Sequence, residues 1–114
     1  MKRTLFAAML ATLSISALAD GCSATGCVGY GSEAVSSVYV NGNGHIYLEA
    51  PAAERANLNC TPAGGAYMVL ERTHASFKES YAAVLMAIAS GRRLHVRIAE
   101  GSANCRVSYV RFYN

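Results

Sequence analysis

Cys22, Cys27, Cys60 and Cys105 are the side chains of this sequence best suited to chemistry, and the chemistry they suit is oxidation. An even number of cysteines in a short exported chain reads as two disulfides, with three pairings open. Cys22 and Cys27 lie five apart in a Gly-rich segment, so a local loop is natural, which leaves Cys60 to close a long loop with Cys105. A chain-entropy treatment gives about 3–4 kcal/mol for loops of this order. Zinc fits poorly: the spacing of Cys22 and Cys27 is loose and no His-x-x-x-His follows. No metal or cofactor is expected.

The remaining reactive residues do not assemble into a catalytic pattern. His45, His74 and His95 are far apart and read as a turn, a loop before a helix and an outward strand position. Gly29-Tyr30-Gly31-Ser32-Glu33 fails the Gly-x-Ser-x-Gly pattern of a serine nucleophile, and the only aspartate is Asp20. A nucleophile, base and orienting group in one cleft are not indicated, so the expectation is a protein that is not an enzyme.

Charge is more informative by position than by total. The formal net charge is +3, but Lys2 and Arg3 lie in a leader-like start, and without them the chain is close to neutral. Arg92, Arg93, Arg97, Arg106 and Arg111 crowd into the last quarter, while most acids lie earlier. A basic sheet face of this kind suits an acidic sugar, a phosphate or an anionic lipid surface; the same arginines also read simply as the solvated outer face of the strands. Tyr39 and Tyr47 fall on the outward side of an expected hairpin. Tyr39, Tyr47, Arg97 and Arg111 are therefore the candidate binding residues.

These residues must be positioned by a small set of elements. Residues 1–19 have a basic start, an apolar run and the small-residue ending Ala17-Leu18-Ala19, the three-part pattern of a cleaved secretory signal. The expected address is therefore secreted or periplasmic, with no membrane span after signal cleavage. Residues 20–33, rich in Gly, Ser and Cys, read as a disulfide-stapled N-terminal arm and not as a strand. Residues 34–114 read as one domain. Strands are expected at 34–40 and 45–49, joined as a hairpin by Asn41-Gly42-Asn43-Gly44, with Val38, Val40, Ile46 and Leu48 inward. A third strand falls at 66–71.

Helix is expected over 77–90. Ser76 and Glu79 have the spacing of a capping box, and Gly91 provides a left-handed stop followed by Arg92 and Arg93. Strand 93–99 alternates, with Leu94, Val96 and Ile98 inward, whereas strand 105–113 slips near Ser108–Val110 in the manner of a bulge. At 100° per residue Phe77, Tyr81, Val84, Leu85 and Ile88 gather on the inner side of the helix. The outer side holds Ala82, Ala83, Met86 and Ala89, with charge only in the first turn, a composition that suits cover by a second copy of the chain and equally an exposed face rich in alanine, the best helix former. Five strands with the helix between strands 3 and 4 give a mainly β, five-stranded OB-fold-like barrel.

The run Lys78-x-x-Tyr81-x-x-x-Leu85-x-Ala87-x-x-Ser90-Gly91-x-x-Leu94-x-Val96-x-Ile98, with Cys105 opening a last strand, resembles a group of small exported bacterial proteins. More distantly it is similar to the B subunit of subtilase cytotoxin and related pertussis-like toxin B subunits. The resemblance covers about the last 45 residues. It implies an OB-fold, a disulfide between the cysteines before strands three and five, a ring with helices lining its centre, and a glycan or cell-surface receptor as partner. No sugar-contacting residue is carried over, and the arm with Cys22 and Cys27 has no counterpart. An OB-type barrel with Arg97, Arg111 and Tyr47 would also suit nucleic acid, but export argues against it. The expected function is a secreted, non-enzymatic binding module, with a free-standing structural or inhibitory envelope protein as the alternative.

Overall fold

The computed structural model describes residues 20–114; the expected signal segment, 1–19, lies outside them. Seven strands and one helix run in the order β1 (Gly21–Ser23), β2 (Gly26–Tyr30), β3 (Val38–Val40), β4 (Ile46–Glu49), β5 (Tyr67–Leu70), α1 (Phe77–Ser90), β6 (Arg93–Ile98) and β7 (Val107–Phe112). They form two antiparallel sheets, one of order β1-β2-β6-β7 and one of order β3-β4-β5. The described residues are thus mainly β with a single α-helix, as expected.

Two features of the expected barrel are corrected. The helix follows the fifth strand and does not lie between the third and fourth, because residues 20–33 contribute a hairpin of their own. The segment read as an arm is part of the larger sheet: β1 pairs β2, and β2 pairs β6 from Gly26↔Arg97 to Tyr30↔Arg93. Its glycines argue against a strand on propensity, yet the pairing requires them. A Cβ on Gly26 would stand 2.1 Å from the Val96 carbonyl oxygen, and one on Gly29 would stand 2.8 Å from the Glu33 Cβ. Close backbone approach explains glycine inside this strand.

The second correction is closure. The sheets meet at one corner, where Val69 of β5 bridges Arg106 and its N–H donates to the carbonyls of Asn104 and Cys105 at 3.2 and 3.1 Å. No ladder joins them into a closed barrel among the described residues.

The core fills the space between the sheets and under the helix. Leu48, Met68 and Leu70 come from the small sheet, Leu94, Val96 and Ile98 from β6, and Val84 and Ala87 from α1; all are fully buried. Period-two burial along β6 follows from its sequence alternation. Val40, expected inward, is 60% exposed at the hairpin end, beyond the reach of the core, while Val38 packs against it. The hairpin turn is held by side chains as well as glycine: Asn41 Oδ1 accepts the Asn43 N–H at 3.1 Å and Asn43 Oδ1 accepts the His45 N–H at 2.9 Å.

Helix α1 has the expected bounds and ends at Gly91 in the left-handed region, φ 64°. Its start differs from the expected capping box, since Ser76 makes no side-chain cap bond. His74 replaces the Glu79 half of the box: its Nδ1 accepts the Ser76 N–H at 2.9 Å. The expected bulge in the last strand is present, with Arg97↔Tyr109 followed by Ile98↔Val107, so that Ser108 has no partner on β6. Both expected disulfides, Cys22–Cys27 and Cys60–Cys105, are formed.

Candidate functional site

The outer face of the four-stranded sheet is built by register. Alternation along β6 sends Arg93, His95 and Arg97 away from the core. Across the ladder His95 pairs with Arg111 and Arg97 with Tyr109, while on the other side His95 pairs with Val28. Directly opposed residues bring their Cβ atoms to about 4.5–5.5 Å, so three guanidiniums and an imidazole share a small area.

Aromatic rings separate and orient these charges. His95 and Tyr109 meet edge to face, with centroids 5.9 Å apart at 78°. The Arg111 guanidinium lies 4.9 Å from the centre of the Tyr113 ring, and Arg93 approaches the same ring at 5.8 Å. Such contacts hold a guanidinium in place without neutralising it. Arg93 also pairs with Asp20 at 3.1 Å. Among the described residues neither Arg97 nor Arg111 has a carboxylate within ion-pair distance.

The electrostatics of the patch show at His95. Its pKa lies below the ordinary 6.5, first because burial penalises the charged ring and then because Arg97, Arg111 and Arg93 repel a further positive charge. Beside it a cleft of about 290 Å³ is lined by Asp20, Gly21, Ser23, Thr25, Val28 and His95, among others. The arrangement is a cationic platform with planar rings, suited to an anionic group carried on a sugar-sized body.

The four predicted binding residues divide between two sheets. Arg97 and Arg111 come together on the platform. Tyr39 and Tyr47 lie on β3 and β4, paired directly across that ladder. There they form a triad with Tyr67 of β5, with ring centroids 5.7, 6.2 and 5.8 Å apart. Tyr39 is exposed, Tyr47 is half-buried, and the Tyr47 hydroxyl accepts a hydrogen bond from Asn43 Nδ2 at 3.4 Å. His95, Tyr109 and Tyr67 were not among the sequence candidates. Strict alternation in 93–99 places His95 with Arg93 and Arg97, so that residue was accessible to the same argument.

The helix face expected to meet a second copy is exposed at three of its four residues. Ala82, Met86 and Ala89 are exposed, but Ala83 is half-buried, and Leu85, expected in the core, is 41% exposed. The inner face is instead Ser80, Val84 and Ala87, flanked by Phe77, Tyr81 and Ile88. The outer stripe is therefore Ala82, Leu85, Met86 and Ala89, spaced as i, i+3, i+4 and i+7.

The histidines are dispersed. His45 Nδ1 accepts the Arg72 N–H at 3.0 Å, His74 braces the helix start, and His95 lies in the cationic face. Among the described residues no three of the His, Cys, Asp and Glu side chains group so as to hold a metal ion, and no helix is long and apolar enough to cross a membrane. The chain matches no protein-family model, no curated protein and no solved structure.

Proposed function

We propose that this protein is an exported, non-enzymatic binding module that takes an acidic glycan of a cell surface on the outer face of its four-stranded sheet. One observation carries the reading: Arg97 and Arg111, diagonal neighbours across the β6–β7 ladder, have no carboxylate partner among the described residues and are flanked by the Tyr109 and Tyr113 rings. A carboxylate or sulfate supplies the missing counter-charge, and the rings offer flat apolar surface to a sugar. Two disulfides fit an oxidising compartment. The resemblance to pertussis-like toxin B subunits, carried by residues 78–98 and Cys105, favours the same class of ligand.

Self-association through the outer face of α1 belongs to this reading. Leu85 and Met86 expose 41% and 58% of their surface between the small Ala82 and Ala89. A second copy seated there would multiply weak sugar contacts by avidity.

The test is an array of acidic and neutral glycans probed with the oxidised protein. Signal on acidic members that falls with added salt and in Arg97→Ala and Arg111→Ala supports the reading. A blank array rejects it in favour of a free-standing structural or inhibitory envelope protein.

A further inference from the structure

His95 occupies the centre of the cationic face, and its neighbours on every side are defined. On its own strand Arg93 and Arg97 lie two residues before and after, on the same face. From β7, Arg111 stands directly opposite and the Tyr109 ring meets it edge to face at 5.9 Å. From β2 the opposed residue is the apolar Val28. From the β1 side, Asp20 and Glu54 share its cleft, but both are engaged. Asp20 pairs with Arg93 at 3.1 Å, and Glu54 accepts a hydrogen bond from Asn57 Nδ2 at 3.1 Å.

Arg97 and Arg111 lie on one diagonal of the β6–β7 ladder and His95 and Tyr109 on the other, so an anion held between the two arginines has the His95 and Tyr109 rings as its nearest cross-strand neighbours. We propose that His95 is a proton-controlled cation of this site, so that the face captures an acidic glycan more tightly as the surroundings acidify. This rests on the reading of the face as an acidic-glycan site. In the free protein partial burial, and after it the surrounding guanidiniums, hold the ring's pKa below the ordinary 6.5. A bound carboxylate offsets the guanidiniums and offers the imidazolium a partner, so ligand and proton each favour the other's binding. The sign follows: the bound ring titrates at higher pH than the free one, and affinity rises as pH falls toward the free value.

Sialyllactose is a suitable probe because its single carboxylate stays ionised throughout this range, and lactose serves as the uncharged control. The His95 ring signal is followed by NMR against pH with and without each sugar, assigned through His95→Gln. Affinity for sialyllactose is measured at about pH 5.5 and about pH 7.5. The expected result is a ring titration moved to higher pH by sialyllactose and not by lactose. Affinity should be several-fold higher at the lower pH, up to about tenfold if the midpoint moves by one unit. In His95→Gln sialyllactose should still bind, with a flat pH profile. Sialyllactose binding equally at both pH values, with the ring titration unmoved, overturns the proton link and leaves the binding reading standing. No binding at either pH overturns both.

Discussion

His74 and Ser108 join the start of the helix to the bulge of the last strand. The His74 Nε2 lies 2.7 Å from the Ser108 carbonyl oxygen, while its Nδ1 accepts the Ser76 N–H. One tautomer, protonated at Nε2, satisfies both contacts. Ser108 has no register partner on β6, and the imidazole uses its carbonyl to fix where α1 begins.

It follows that His74→Ala should destabilise the protein by about 1–3 kcal/mol, since it removes two hydrogen bonds and leaves a backbone N–H and a carbonyl to find other partners. Ser76→Ala should be close to neutral, because Ser76 makes no side-chain cap bond. Urea denaturation of the two variants checks the contrast. A larger loss in Ser76→Ala than in His74→Ala would restore the capping box that the sequence suggested.

The two disulfides should differ in weight. Cys60–Cys105 spans 45 residues and Cys22–Cys27 only five. Chain entropy assigns about 4 kcal/mol to the first and about 2 kcal/mol to the second. The long bridge also anchors Cys105, which with Asn104 has positive φ, 42° and 65°, at the corner where the two sheets meet. Paired Cys→Ser variants compared by thermal unfolding should show the larger drop for Cys60 and Cys105.

Much of this architecture was legible from local pattern, and the failures have physical causes. The bounds of α1, the alternation of β6 and the bulge at Ser108 each follow from periodicity within a few residues. The β2 strand does not, because Gly26 and Gly29 are there to admit the Val96 carbonyl and the Glu33 side chain, contacts with residues remote from or outside the strand. Missing that hairpin displaced the helix in the strand count and suggested a closed barrel. The candidate site was legible in part for the same reason. Arg97 and Arg111 converge because their strands are neighbours, whereas Tyr39 and Tyr47 belong to the other sheet. Leu85 misled because the helix is seated through Ser80, Val84 and Ala87, and small residues allow a closer approach than a leucine stripe would.

Stability should depend on pH through His95. Its folded pKa lies below 6.5, so the unfolded chain takes up this proton first as pH falls. Stability contributed by the neutral ring is present above about pH 6.5 and is lost as pH drops through the folded value. Denaturation midpoints of the wild type should fall between about pH 7.5 and about pH 5, and His95→Gln should flatten that slope.

The helix face makes its own prediction. Met86→Glu places a charge in the middle of the Ala82, Leu85, Met86 and Ala89 stripe, and should lower the mass seen by light scattering without altering the circular dichroism spectrum. A wild-type protein that stays monomeric at high concentration contradicts self-association through this face.

The central claim is tested most directly by mapping backbone amide shifts while an acidic oligosaccharide is titrated into the oxidised protein. Shifts centred on Arg97, Tyr109 and Arg111, reversed by salt and absent with the neutral sugar, are the predicted result. Shifts confined to Tyr39, Tyr47 and Tyr67, or none at all, would contradict it.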